Sequence, residues 1–405
     1  MKLFSKNPVK PAVSAASPLV AFPSANFPLL AAQDIAYLDN GATTQKPTVV
    51  LDAMDQYYRT ANANVHRGVY KLADTSTQAY EDARNVVAKY LDVHDDEVIF
   101  TSGATHSLNL AAHILSKHVK PGDEILTTIA EHHALFVPFQ QLALRTGATF
   151  VVVPLTDEQS ITVAQINKYV SSKTCIIAVS AMSNVLGYAL DTSKITKGSA
   201  RLVVDAAQSI RHTKHYPNAD FVAFSAHKIF GPQGVGVLQS RRELLKDGEP
   251  LITGGAMIQT VSEIKSTWTV APARFEAGTP NVAGAVGLAA AIKFYEPLRK
   301  NAHEAEMALT HKAQAIVAKY CNIIGPEIKD GPIISFTMKD AHAHDIAQAL
   351  DAYGVCVRAG HHCCQPLHAV LKVDASVRLS IAFYNTERDL ERLEAGLKSV
   401  EELFS

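Results

Sequence analysis

The sequence has few cysteines, no long apolar run and almost no net charge, and each of these absences excludes a class of protein. Five cysteines among 405 residues form an odd, sparse set, which is no disulfide framework and favours a reducing compartment, the cytoplasm. No apolar run approaches the roughly 20 residues that span a bilayer. A net charge of −1 gives no electrostatic reason to bind nucleic acid or an anionic membrane surface. We therefore expect neither nucleic acid nor a membrane as a partner.

Residues 1–33 lack acidic residues and arginine altogether, and prolines at positions 8, 11, 18, 23 and 28 interrupt this stretch. A transit peptide would also be poor in acidic residues, but it would contain arginine and form an amphipathic helix that these prolines prevent. We therefore predict an N-terminal extension that is partly flexible.

The rest of the chain alternates between strand and helix patterns. Its hydrophobic content of 47% and charged content of 19% are ordinary for a globular protein, and its length suffices for two domains. Strands are predicted at 98–101, 124–128, 150–153, 175–180, 202–205 and 221–224. Regular alternation of this kind indicates an α/β fold with a mostly parallel sheet covered by helices on both faces. Ligand-binding groups should then follow the carboxyl ends of the strands.

Two of these strands end in side chains that suit a single cofactor. The apolar run from Phe221 leads to Lys228, and the run from Leu202 ends at Asp205. Taken alone, the lysine is as consistent with a surface side chain, and the aspartate with a helix N-cap. Together they suit pyridoxal phosphate (PLP), for which a lysine forms a Schiff base and an aspartate faces the pyridine nitrogen.

A second distinctive stretch is Gly360-His361-His362-Cys363-Cys364-Gln365-Pro366. Two histidines beside two cysteines raise the possibility of a metal site, but adjacent residues do not easily supply a tetrahedral set, and no C-x-x-C completes one. We therefore expect no metal. The stretch is better interpreted as a loop with a nucleophilic cysteine, whose pKa the neighbouring imidazoles could lower.

The motif Asp205-Ala-Ala-Gln208 followed by Ser225-Ala-His-Lys228 resembles the class V aminotransferase family. Within it the chain is similar to cysteine desulfurases of the SufS/CsdA type, from about Ile35 to the C-terminus. The resemblance implies PLP-dependent fold type I. It predicts a large PLP-binding domain at 34–281 with a seven-stranded sheet. A smaller α+β domain at 282–405 would carry the cysteine loop, and the extension 1–33 would join this small domain.

The resemblance also implies roles in binding PLP. Lys228 would form the Schiff base and shuttle the substrate α-proton. His132, the first histidine of Glu-His-His-Ala, would stack on the cofactor ring and could take part in proton transfer. Asp205 would pair with the pyridine nitrogen, and Gln208 would bond the phenolic oxygen. The phosphate contacts would be Ala104, Thr105, Ser225 and His227, with Thr279 supplied by the neighbouring subunit of a homodimer.

Substrate contacts follow from the same resemblance. Arg378 would bind the α-carboxylate with Asn184 as its partner, while Arg358 and His66 match further active-site positions whose roles stay open. The family motif, close to Gly-His-His-Cys-Ala-x-Pro, makes Cys363 the nucleophile. Cys364 stands where the family has alanine, so it could be a bystander, a secondary persulfide carrier or an oxidation partner.

The implied reaction converts L-cysteine to L-alanine and leaves a persulfide on Cys363. The persulfide would pass to a SufE-type acceptor protein for iron–sulfur cluster assembly. A selenocysteine lyase, acting on L-selenocysteine, is the nearest alternative, followed by another class V lyase. A binding scaffold without activity is disfavoured because Lys228, Asp205, His132 and Arg378 are all present.

Overall fold

The structure is a computed structural model that describes residues 24–327 and 330–404. Its helices are α1 (Pro28–Ala32), α2 (Thr48–Thr60), α3 (Lys71–Leu91), α4 (Ala104–Ser116), α5 (His133–Thr146), α6 (Val163–Tyr169), α7 (Arg242–Asp247), α8 (Val282–Tyr295), α9 (Arg299–Tyr320), α10 (Ala343–Asp351), α11 (Gln365–Leu371) and α12 (Glu387–Phe404). Its strands are β1 (Ala36–Tyr37), β2 (Val98–Thr101), β3 (Glu124–Thr128), β4 (Thr149–Val153), β5 (Thr174–Ser180), β6 (Arg201–Asp205), β7 (Phe221–Ser225), β8 (Gly236–Ser240), β9 (Ile258–Val261), β10 (Ser266–Trp268), β11 (Asn322–Ile324), β12 (Ile333–Thr337), β13 (Val355–Cys356), β14 (Arg358–Gly360) and β15 (Ser376–Ser380). Among the described helices, none has the length and apolarity needed to cross a membrane.

The central sheet has seven strands in the order β2-β8-β7-β6-β5-β3-β4. Neighbouring strands from β7 to β4 run parallel, and only β8 runs against its two neighbours. Strands covered on both faces are continuously apolar, and Leu202, Val203 and Val204 of β6 are accordingly fully buried. The predicted α/β fold with a mostly parallel seven-stranded sheet is confirmed.

Strand β8 was not anticipated from the sequence. Its first residue, Gly236, belongs to a glycine-rich stretch that reads as a turn, yet the chain turns back there and pairs antiparallel with both β7 and β2. A side chain at Gly236 would bring its Cβ within 2.4 Å of the Gly103 Cα. Glycine at this position therefore lets the turn between β2 and α4 lie directly on β8.

A second sheet is antiparallel and has the order β11-β12-β15-β14. Helices α9, α10 and α12 pack around it, and its apolar side chains form a core of their own. The strand-like sequence Val355-Cys-Val-Arg358 indicates one strand, but the structure has two short strands here. β13 pairs in parallel with β1, whereas β14 pairs with β15. The N-terminal strand β1 is thereby tied to the C-terminal part of the chain.

The division into a large and a small domain stays a prediction, and the packing bears on where the boundary falls. Helix α8, which follows the predicted boundary at 281/282, packs against α2 and α3, so a boundary after α8 fits the contacts better. Of the predicted extension, residues 1–23 lie outside the described residues. Within the described remainder, Phe27 is buried against Phe230 and Tyr384.

Candidate active site

The carboxyl ends of β5, β6 and β7 and the turn between β2 and α4 border a cavity of about 210 Å³. Such a position is expected because side chains that follow parallel strands meet at one edge of the sheet. Twelve of the predicted site residues line this cavity: Ala104, Thr105, His132, Asn184, Asp205, Gln208, Ser225, His227, Lys228, Arg358, Cys363 and Arg378.

Lys228 ends a short 3-10 turn, Ala226–Lys228, that follows β7 directly. Burial lowers the pKa of its amine to about 8, although the carboxylate of Asp205 acts in the opposite direction. Arg378 and Arg358 add to the lowering. Burial therefore favours the neutral form of the Lys228 amine, and only a neutral amine is a nucleophile or a base.

Asp205 is the last residue of β6 and is buried. Its Oδ1 accepts a hydrogen bond from the Ala207 backbone N–H at 2.8 Å. Burial raises the pKa of this carboxyl, while the Ala207 N–H and Lys228 oppose the shift. A buried carboxylate of this kind is stabilised by a cationic partner, and a protonated ring nitrogen would provide one.

The N-terminus of α4 forms a cradle for an anion. Ser225 Oγ accepts the Ala104 N–H at 2.8 Å, which leaves the serine hydroxyl hydrogen to donate elsewhere. His227 Nδ1 is buried and has no hydrogen-bond partner among the described residues. An unpaired buried polar atom is costly, and a phosphate here would satisfy it together with the N–H groups of the helix end.

His132 is the N-cap of α5, and its Nδ1 accepts the Ala134 N–H at 3.0 Å. Burial, followed by the charge of Lys228, lowers the pKa of this imidazole to about 3. The ring is therefore neutral, and because Nδ1 is an acceptor, its proton resides on Nε2. An uncharged imidazole therefore lies at the cavity wall, where it could stack on a cofactor ring.

Arg358 and Arg378 are register partners on the neighbouring strands β14 and β15. Arg378 Nη2 lies 3.2 Å from Asp39 Oδ1, and its Nη1 donates to the Asn184 carbonyl at 3.1 Å. Like charges directly opposite each other destabilise a sheet, and the ion pair of Asp39 is with Arg378, not with Arg358. Arg378 Nε is also buried without a partner among the described residues. The pair is suited to a further anion, such as a carboxylate.

Asn184 and Gln208 contact other groups than the sequence suggested. The Asn184 side-chain amide donates to the His362 carbonyl at 2.8 Å, so this side chain holds the cysteine loop, while its backbone carbonyl contacts Arg378. Gln208 Nε2 donates to the Gly41 carbonyl at 2.8 Å. Both residues still line the cavity.

Cys363 lies in the loop between β14 and α11 and lines the cavity. Adjacent residues His362 and Cys363 have φ angles of 51° and 57°, in the left-handed region that non-glycine residues rarely adopt. His362 is buried with Nε2 within 3.0 Å of Ser376 Oγ, and burial lowers its pKa to about 2. It is therefore neutral and supplies no positive charge to the thiol, contrary to the expectation for this imidazole. Lys228 and Arg378 are positively charged groups whose charges interact with Cys363.

Cys364 points away from the cavity. Its side chain is fully buried, and its thiol donates to the Glu131 carbonyl at 3.2 Å. Burial raises the pKa of this thiol well above its usual range. These contacts favour the bystander role among the three that the sequence left open.

Two predicted site residues lie elsewhere. His66 and Thr279 line a second cavity of about 460 Å³, next to Tyr80 and Glu276. Within one chain they are therefore not brought together with Lys228.

Three further residues at or beside the site, Asp39, Glu131 and His133, were not predicted from the sequence. Asp39 belongs to Tyr37-Leu-Asp-Asn, which precedes a tight turn, and its partner Arg378 is distant in the sequence. Glu131 is buried and accepts hydrogen bonds from Thr128 Oγ1 at 2.6 Å and from the Ser180 N–H at 2.8 Å. Burial raises the pKa of Glu131 to about 7. The sequence Glu131-His132-His133 indicated a site segment through His132, but it did not indicate the contacts of the other two residues.

A separate group could hold a cation by residue type alone. His212, His303 and Glu306 bring potential ligand atoms within 4.8 Å of one another. However, Arg211 Nη1 bonds Glu306 Oε1 at 2.8 Å, and the charges of Arg211 and Arg299 lower the pKa of both histidines after burial. These positive charges oppose a metal ion at this place.

Known proteins resemble this chain over most of its length. The family model for class V aminotransferases matches residues 36–393. A probable cysteine desulfurase of Staphylococcus aureus (strain N315) is 42% identical over 384 residues, which cover 92% of this chain and 93% of that protein. The corresponding Staphylococcus epidermidis protein (strain ATCC 12228) is 43% identical over 384 residues, with the same 92% and 93% covered.

Solved structures agree with this similarity. The cysteine desulfurase CsdA of Escherichia coli has a TM-score of 0.87 and 35% identity, covering 94% of this chain and 98% of its own. A cysteine desulfurase of Thermococcus onnurineus NA1 has a TM-score of 0.89 and 35% identity, covering 97% of this chain and 99% of its own.

The chain therefore belongs to the class V aminotransferase family, whose fold is PLP-dependent fold type I, and its relatives there are named as cysteine desulfurases. The donors that line the cavity fit the cofactor of that family. Lys228 and Asp205 follow neighbouring strands, and the unpaired His227 Nδ1 lies at the α4 cradle. Pyridoxal 5′-phosphate is thus the cofactor that this site holds.

Proposed function

We propose that this protein is a cysteine desulfurase that converts L-cysteine to L-alanine and takes the sulfur onto Cys363. The observation that carries the proposal is that Cys363, Lys228 and the arginine pair line one cavity. An ordinary aminotransferase needs no cysteine in the cavity that its lysine lines.

Substrate orientation comes from the arginines. The α-carboxylate of cysteine would bind between Arg358 and Arg378, since a guanidinium grips a carboxylate with two parallel hydrogen bonds. Asp39 and the Asn184 carbonyl fix the Arg378 side chain from the other side. This leaves the substrate side chain free to extend toward Cys363.

Proton transfer falls to Lys228. When bound, the cofactor supplies an electron sink for the pair left by the α-proton, and Asp205 would keep its ring nitrogen protonated. Burial lowers the pKa of the Lys228 amine to about 8. It can therefore remove the α-proton and return a proton later. His132, neutral with its proton on Nε2, forms a wall of the cavity and excludes water from that face.

Sulfur transfer falls to Cys363. Its thiolate attacks the substrate sulfur, an S–S bond forms, and the substrate C–S bond breaks with its electron pair remaining on carbon. Protonation of that carbon gives alanine, and the enzyme retains a persulfide. The step needs no external oxidant because the sulfur is oxidised at the expense of the carbon.

Two further parts of the proposal concern partners. The persulfide would pass to a SufE-type acceptor for iron–sulfur cluster assembly, in a reducing cytoplasm that suits five unpaired cysteines. The protein would also be a homodimer with shared active sites. His66 and Thr279, displaced from Lys228 within one chain, would reach the active site of the second copy. The nearly fully exposed side chains of Val69 and Ile264 support this arrangement.

The main test compares alanine and sulfide release from L-cysteine, with reductant, in wild type, Cys363→Ala and Cys364→Ala. We expect Cys363→Ala to lose turnover by at least about 100-fold, since its nucleophile is gone. The buried Cys364→Ala should stay within about threefold of wild type, since it removes one weak sulfur hydrogen bond away from the cavity. Undiminished activity in Cys363→Ala would refute the proposal.

The dimer has its own test. Lys228→Ala and Thr279→Ala would each be inactive or impaired alone, and mixing them after subunit exchange should create dimers with one intact site. We expect activity to rise on mixing. A monomer in sedimentation experiments, or no recovery on mixing despite demonstrated exchange, would argue against shared sites.

A further inference from the structure

The Cys363 loop is held from outside by the segment that carries His132. His362 and Cys363 both adopt left-handed backbone angles, at 51° and 57°, and each such residue costs about 1–3 kcal/mol unless its surroundings enforce it. The enforcing contacts come from residues far away in the sequence. Asn184 Nδ2 donates to the His362 carbonyl at 2.8 Å, and the His133 N–H donates to the Cys363 carbonyl at 2.7 Å.

His133 makes a second contact through its ring. Its Nε2 accepts the Gln365 N–H at 3.0 Å. One residue thus bonds the loop on both sides of Cys364, at the carbonyl of Cys363 and at the N–H that opens helix α11. The histidine is half-buried and lies with Cys363 at the edge of a groove along α4 and α5.

We propose that His133 is a positioning residue whose imidazole holds the Cys363 loop at the cavity. This inference rests on the proposed role of Cys363 and adds a residue that acts through it. His133 is not among the residues that line the cavity of Lys228. Its contribution is to fix the backbone that carries the nucleophile, so its loss should slow the sulfur-transfer step and leave cofactor binding intact.

Two variants separate the hydrogen bond from the bulk of the side chain. His133→Leu removes the acceptor and keeps an apolar side chain of similar size, whereas His133→Gln keeps an acceptor at about the distance of Nε2. His113→Leu is the matched control, because His113 lines the same groove but lies on α4.

We expect His133→Leu to lower kcat for alanine formation about fivefold, as befits one lost hydrogen bond. The KM for L-cysteine and the visible absorbance of the bound cofactor should stay unchanged. His133→Gln should recover most of the activity, and His113→Leu should match wild type. Wild-type kcat in His133→Leu, equal losses in the leucine and glutamine variants, or a change confined to KM would overturn the inference.

A readout independent of turnover is the rate at which iodoacetamide alkylates Cys363, followed by peptide mass spectrometry. Release of the loop should raise this rate about fivefold in His133→Leu, and an unchanged rate would count against the positioning role. If wild type released no alanine, the proposed function would fail while this measurement would still decide the role of His133.

A second variant removes the same hydrogen bond, from the Gln365 N–H to His133 Nε2, and so keeps the inference testable if His133→Leu misfolds. Gln365→Pro deletes the donor, and Gln365 is the first residue of α11, a position where proline is tolerated. The double variant His133→Leu/Gln365→Pro should be no slower than the slower single variant, because both remove one bond. Additive losses would show that the two residues act separately and would overturn the inference.

Discussion

The burial of Lys228 predicts how the rate of cofactor uptake depends on pH. The amine must be neutral to attack an aldehyde, and burial lowers its pKa from 10.5 to about 8. In the apoprotein, the rate of cofactor uptake should therefore rise about tenfold per pH unit below pH 8 and level off above it. Recovery of the visible absorbance after adding pyridoxal phosphate measures this rate.

Lys46 provides a control for that experiment, because burial also lowers its pKa to about 8. Its Nζ donates to Thr43 Oγ1 and to the His227 carbonyl, and Lys46 does not line the cavity. Lys46→Met should keep the pH midpoint of uptake, and Lys228→Ala should abolish the visible band. A midpoint that moved with Lys46, or uptake independent of pH between about 6.5 and 9, would contradict the assignment.

Among individual residues, only those marked by a pattern of neighbouring residues could be predicted from the sequence. Asp205 and Lys228 could be predicted because the first ends an apolar strand and the second follows one closely, and parallel strands bring their carboxyl ends together. The partnership of Asp39 with Arg378 and the contact of His133 with Gln365 join residues hundreds of positions apart, so no local pattern encodes them. The neutral state of His362 depends on burial, which the sequence alone does not show.

At the level of secondary structure, the position of the turn between β2 and α4 depends on Gly236, which belongs to strand β8. In Gly236→Ala the added Cβ would come within 2.4 Å of the Gly103 Cα, so β8 or the turn must move. We expect a loss of about 1–3 kcal/mol in the free energy of unfolding, typical of overpacking, and weaker cofactor binding because the α4 cradle shifts.

Urea unfolding of the apoprotein and titration with pyridoxal phosphate measure the two effects. Gly254→Ala is the matched control, since a Cβ there meets nothing within 4 Å and should change neither quantity by more than about 0.5 kcal/mol. Equal behaviour of the two variants would show that the close approach of β8 to the turn has no energetic weight.

The elements themselves could be predicted unevenly. Strand β3 has the bounds that its apolar run indicates, because a buried strand between polar turns leaves no competing pattern. The hairpin of β9 and β10 and the short β11 were missed, since their stability comes from pairing and not from periodicity. The chain forms two strands here because residues 355–356 pair with β1, whereas residues 358–360 pair with β15 in another sheet.

For the whole molecule, a cluster of aromatic rings links the described start of the chain to its far end. Phe27 packs against Tyr384 at 4.6 Å and Phe383 at 5.8 Å between ring centroids. Phe27→Ala should therefore cost about 3–5 kcal/mol of unfolding free energy. Leu29→Ala, two residues on and exposed, should cost no more than about 0.5 kcal/mol.

Denaturant unfolding followed by tyrosine and tryptophan fluorescence measures both variants. A small effect of Phe27→Ala would mean that the segment around α1 contributes little to the stability of the chain. The resemblance to the family implied only that an N-terminal extension, residues 1–33, joins the small domain. It could not single out Phe27, whose neighbours Phe230, Phe383 and Tyr384 are brought together by the two sheets.

The opposed guanidinium groups of Arg358 and Arg378, of which Arg378 forms an ion pair with Asp39, have a practical consequence for handling the protein. Buffer composition becomes an experimental variable. If the substrate carboxylate binds there as proposed, citrate, sulfate or formate will compete with it, and kinetic constants measured in such buffers will show apparent inhibition. Conversely, a thermal-shift screen of simple anions should rank them by how well a planar carboxylate fits between two arginines, and the best of them are starting points for inhibitors.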